Sequence, residues 1–186
     1  MIAQELLDTG ILQFGLFIEN GQSKPYRLRL EMLSAYPQLM QQIVYRTVQA
    51  LPMQTFNRLV AHSDCIPVVS AVSLNTGVSL VYSRGQGEVP VHDLVGAYDV
   101  GHPACLIVNS WNESLNTFLA NCRRVGLEIY TVVEIVGLGQ VAQDIEMRPV
   151  YTMNAILHEL RQDELIPETL AKSVEKFVDN SSTETS

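Results

Sequence analysis

The chain has 186 residues, enough for one domain with a substantial core and too few for two comfortable ones. At 47% hydrophobic and 17% charged residues it is neither disordered nor fibrous, and no apolar run approaches the roughly 20 residues that span a bilayer. The formal charge of −8, with lysine only at Lys24, Lys172 and Lys176, leaves no basic stripe to neutralise phosphates, so nucleic acid is excluded as a partner.

The opening MIAQELLDTG has no basic region and carries Glu5 and Asp8, so no signal peptide is expected and a cytoplasmic location follows. Cys65, Cys105 and Cys122 are odd in number and lack metal-type spacing, which fits reduced, buried thiols. Residues 2–8 read as a short helix closed by Thr9-Gly10, and residues 12–19 as a strand or extended arm around Gly15. Residues 21–25 are a turn by composition, and residues 26–30 alternate as a half-buried strand. Pro37 suits the start of a helix reaching about Leu51, with Leu39, Ile43, Val44, Val48 and Leu51 on one side. Residues 56–61 read as a short helical turn. Residues 64–69 (DCIPVV) and 78–83 (VSLVYS) read as core strands, joined by a helical connection over 70–76. From Arg84 to Gly101 the glycines and Pro90 indicate a mobile loop with room for one hairpin.

Residues 104–126, ACLIVNSWNESLNTFLANCRRVG, are the most informative stretch. Residues 104–108 form a continuous apolar run, as in a strand covered on both faces. Leu115, Phe118, Leu119 and Cys122 then recur at helical spacing, Gly126 supplies a left-handed stop, and residues 127–136 read as the next strand. Ligands of open α/β sheets sit where the first strand of such a unit ends. Here that crest reads Asn109-Ser110-Trp111-Asn112-Glu113-Ser114-Leu115-Asn116. Residues 137–142 (GLGQVA) fit a dinucleotide fingerprint, but Pro149 comes too soon for a full following helix, so a turn is expected. His62, His92, His102 and His158 are scattered without an i, i+4 partner, and no zinc site is expected. Residues 153–165 read as helical, Pro167 opens a last helix to about Val178, and residues 180–186 form a polar, disordered tail. The alternation predicts an α/β fold: a mostly parallel, doubly wound sheet flanked by helices. A single domain spans 1–179, with a hood or arm over 1–36, a core over 37–165 and a C-terminal helix over 166–179.

On these elements the chain resembles the orotate phosphoribosyltransferases, which have the type I phosphoribosyltransferase fold. Leu12-Gln13-Phe14-Gly15, Phe17, Gly21 and Lys24-Pro25-Tyr26 are similar to that family's opening signature. Tyr82-Ser83-Arg84 resembles the strand that begins its flexible catalytic loop, and Leu106-Ile107-Val108 the strand carrying its phosphoribosyl-diphosphate motif. The resemblance implies transfer of a ribose phosphate to orotate with Mg²⁺ on the leaving pyrophosphate, and a homodimer sharing active sites.

The three elements that carry this chemistry depart from pattern. Two adjacent aspartates that grip the ribose hydroxyls are replaced by Asn109-Ser110, and Glu113-Ser114-Leu115 stand where small residues wrap the 5′-phosphate. A carboxylate about 5 Å from a dianionic phosphate costs several kcal/mol at an effective dielectric of about 20. The Gly-rich loop expected after the strand at Asp64 is short and lacks glycine until Gly77. The mobile loop keeps Arg84 but has no lysine, carries Glu88, and offers only His92 for the family's histidine. Lys24, Tyr26, Arg84, His92, Asn109, Ser110, Trp111, Asn112, Glu113, Ser114 and Asn116 are therefore remnants of a ligand site. No catalytic residue, metal or cofactor is expected; Mg²⁺ and phosphoribosyl diphosphate enter only if the chain is a divergent active enzyme of pyrimidine synthesis. Trp111 reads as apolar filling of the site or as a stacking platform, and Asn112 or Ser114 as a helix cap. The expected role is regulatory or scaffolding, through a protein partner or a small metabolite. A repressor reusing this fold would need a DNA-binding segment or basic face, and the chain has neither.

Overall fold

The computed structural model describes residues 1–19, 22–53, 55–84, 93–98, 101–112, 114–139 and 144–183. Helix α1 (Ile2–Asp8) ends at Thr9-Gly10, with Gly10 at φ 66°. Strands β1 (Leu12–Glu19) and β2 (Gln22–Leu28) form an antiparallel ribbon of their own, the expected hood. Residues 22–25 thus belong to a strand, against the turn their composition suggested; Gly21 lies outside the described residues. The register shifts between Phe14 and Phe17, across from Pro25, and this irregularity accommodates a residue that has no N–H for the ladder. A 3₁₀ stretch (Leu30–Ala35) leads into α2 (Pro37–Ala50), which buries Leu39, Ile43, Val44 and Thr47.

Two expectations fail between residues 56 and 69. Arg58–Ala61, read as a helical turn, is strand β3 and pairs in parallel on both sides. The DCIPVV run, read as a strand, is a 3₁₀ turn (Ser63–Cys65) followed by α3 (Ile66–Thr76). A short apolar run does not separate a buried strand from a buried helix by period. The ends decide it, with Pro67 in the first turn and Gly77 at φ 74° after the last.

Strands β4 (Ser79–Ser83) and β5 (Leu94–Val95) form the antiparallel hairpin. Strand β6 (His102–Val108), α4 (Ser114–Arg124) and β7 (Leu127–Gly137) realise the predicted central unit, with Gly126 at φ 93°. Strand β8 (Glu146–Thr152) was not anticipated, because Pro149 interrupts the strand pattern; at the sheet edge a missing N–H is tolerated. Helix α5 (Met153–Gln162) is capped by the Thr152 hydroxyl, which accepts the Ala155 N–H. Helix α6 (Glu168–Thr183) passes Val178, so residues 180–183 of the expected tail are helical. Residues 184–186 lie outside the described chain.

The sheet order is β5-β4-β3-β6-β7-β8, parallel except for β5. Strand alternation sends Leu59, Ala61, Ile107, Val133 and Ile135 to one face, into a layer with α1, α2, α3, α5 and α6. Val60, Val81, Leu106, Val108 and Val132 face the other way, with α4. No helix among the described residues is long and apolar enough to cross a membrane.

Candidate functional site

The carboxyl ends of β3, β6 and β7 lie side by side, the edge where open α/β sheets hold ligands. After Val108 the chain turns through Asn109–Asn112 into α4, and Val136 of β7 clamps that turn from both sides. Its N–H donates to the Asn109 carbonyl at 2.9 Å, and its carbonyl accepts the Ser110 hydroxyl at 2.5 Å. Trp111 is only 2% exposed and packs in the α4 layer with Leu115 and Phe118. Its indole is filling rather than an open stacking platform.

The Trp111 backbone N–H donates at 2.9 Å to Oε1 of Glu134. Glu134 stands opposite Val108 in the β6–β7 register and is itself 2% exposed. Burial pushes its carboxyl above the ordinary carboxylate range, and the Trp111 N–H pulls back only part of that rise. Gly137 makes room for this arrangement: a Cβ there would lie 3.1 Å from Glu134 Oε2 and 2.7 Å from Pro149 Cβ. Glu134 is not among the residues the sequence singles out, because Glu128 and Thr131 share its strand and nothing local marks one acid of the two as covered.

The link from β3 to α3 is the four residues His62–Cys65. His62 Nδ1 and Asp64 Oδ1 are 2.8 Å apart, and the imidazole meets the Phe118 ring edge-on at 5.3 Å. Asn109 Nδ2 donates to the Asp64 carbonyl at 3.4 Å, while its Oδ1 is buried with no hydrogen-bond donor among the described residues. His62 lies in this link, half-buried and engaged at the crest. His102 pairs with Asn57 at 3.1 Å, away from it at the start of β6.

The remaining predicted residues scatter. The Asn112 carbonyl accepts the Leu115 N–H at 3.0 Å, its side chain is exposed, Ser114 begins α4, and Asn116 is exposed on that helix. Lys24 and Tyr26 stand on β2 of the hood, where Tyr26 is buried edge-on against Phe177 of α6 at 5.9 Å. Arg84 is exposed at the end of β4, its backbone N–H on the Asp93 carbonyl. His92, Glu113 and residues 140–142 of the glycine-rich motif lie outside the described residues. Among the described residues no group of three His, Cys, Asp or Glu side chains could hold a metal.

Solved structures share this architecture. UMP synthase of Leishmania donovani aligns at TM-score 0.84 and 23% identity, over 96% of this chain and 42% of that one. Orotate phosphoribosyltransferase of Francisella tularensis aligns at 0.70 and 16% identity, over 97% and 95% of the two chains. The fold is that of the type I phosphoribosyltransferases. Orotate phosphoribosyltransferase of Aeropyrum pernix aligns at 0.72 and 16% identity over 87% of this chain and 99% of its own. The chain spans less than half the length of the Leishmania UMP synthase. No family model matches it, nor does any curated protein. In this fold the 62–65 link follows β3 and the 109–112 turn follows β6, both at the carboxyl edge of the parallel strands.

Proposed function

We propose that this is a non-catalytic phosphoribosyltransferase-like protein that acts by binding a protein partner or a small metabolite. The observation that carries the reading is the bond from the Trp111 N–H to Glu134. By the resemblance the phosphate-wrapping stretch is Glu113-Ser114-Leu115; the backbone N–H of Trp111, two residues before it, is spent on a buried carboxyl group, and the Trp111 indole fills the space beside it. An anion arriving at this point would displace an existing acceptor and meet the Glu134 carboxylate in a poorly solvated setting. Asn109-Ser110 in place of paired acids, and a glycine-free link at His62–Cys65, support the same reading. These residues do not suit Mg²⁺ with a pyrophosphate. Pairing into a homodimer is part of the proposal and rests on the resemblance alone.

Calorimetry of the purified chain with phosphoribosyl diphosphate and Mg²⁺ is expected to give no heat of binding. Formation of orotidine phosphate from orotate would overturn the proposal in favour of a divergent orotate phosphoribosyltransferase. Sedimentation equilibrium tests the dimer separately.

A further inference from the structure

On the face of the sheet opposite Trp111, a cavity of about 430 Å³ opens among α1, α2, β8 and α5, within the size range of small-molecule sites. Its wall includes Ile2, Gln42, Tyr45, Arg46, Tyr151 and Glu159. The Gln42 amide is already engaged, donating to the Glu5 carboxylate at 3.1 Å. Arg46 and Glu159 are not so engaged. The Arg46 guanidinium is exposed on α2 and makes no ion pair or hydrogen bond among the described residues. Glu159 Oε2 is buried and lacks a hydrogen-bond donor among the described residues. A carboxylate oxygen removed from water without a donor is costly, so this one is poised to receive one. Burial holds the Tyr151 phenol above its ordinary value, with Arg46 lowering it and Glu159 and Glu5 raising it, so it is a neutral donor at neutral pH.

We propose that this cavity binds a small zwitterion of the free α-amino-acid class. The ligand's carboxylate lies on the Arg46 fork, its ammonium group on Glu159, and its hydrocarbon against Tyr45 and Tyr151. A simple anion would satisfy Arg46 while facing the Glu159 charge, and a simple cation would do the reverse. A short body carrying both charges satisfies both residues at once. The proposal is independent of the crest and of whether phosphoribosyl diphosphate binds there.

The test is calorimetry of the full chain with each of the common L-amino acids, its N-acetyl derivative and its decarboxylated amine. At least one amino acid is expected to bind about tenfold tighter than either singly charged counterpart. Arg46→Ala should reduce its affinity to that of the amine, and Glu159→Gln to that of the N-acetyl acid. Thermal melts check that each variant folds, and because the two lie on different helices, either alone decides the matter. Binding by no amino acid, or equal binding of the singly charged probes, overturns the proposal.

Discussion

Glu134 is the residue at which burial, charge and backbone hydrogen bonding meet. Its carboxyl is raised by burial, so the folded chain holds that proton more tightly than the unfolded chain. Its favourable contribution is complete below the ordinary carboxylate range and is lost as pH rises through the higher folded value. Glu134→Gln keeps an oxygen for the Trp111 N–H and does not titrate. Its stability relative to the parent should therefore improve as pH goes from mildly acidic to neutral, measured by urea unfolding at both. A difference that stays constant with pH would refute a titrating buried carboxylate. Trp111→Ala should cost about 3–5 kcal/mol in the same assay, the loss for a buried large aromatic; a change near zero would mean that the indole fills nothing. Trp111 was legible beforehand because one large aromatic stood among small polar residues. Glu134 was not, because LEIYTVVEIVG carries two acids, Glu128 and Glu134, that read alike as solvated positions of a strand, and only the neighbouring turn shows that the second is covered.

Elements were legible where period and punctuation agreed. Helix α2 had Pro37 and a clean apolar stripe, and the β6–α4–β7 unit had a strand run, a helical stripe and Gly126 in order. They were not legible where burial erased the period. Helix α3 is apolar nearly all round, so DCIPVV matched strand and helix alike, and the error displaced the true strand β3. Strand β8 was hidden by Pro149, and what secures it is long-range. Arg148 Nη1 donates to the carbonyls of Ala50 and Leu51, at 3.0 and 2.8 Å, tying the edge strand to the end of α2. Arg148→Ala should cost about 1–3 kcal/mol and accelerate amide exchange in β8 more than in β6. Equal effects on the two strands would show that the tie is not local.

At the scale of the whole molecule, the three thiols report the integrity of the packing. Burial pushes Cys105 and Cys122 up to about 12 and Cys65 well above its ordinary value. The native chain should therefore leave all three unreactive toward a disulfide reagent near neutral pH, and denaturant should release them together. Prompt reaction of one thiol in the native state would reveal a local opening that the fold does not show. The general α/β class followed from the alternation of elements, whereas the closure of the chain on itself depended on contacts between its distant parts. Helix α1 packs on α5, and α6 lies against β2 of the hood. During synthesis the ribbon leaves the ribosome long before the helix that covers it exists. Tyr26 must wait, its ring uncovered, until Phe177 has been translated, and in that interval the nascent chain offers an apolar surface to whatever chaperone attends the exit tunnel.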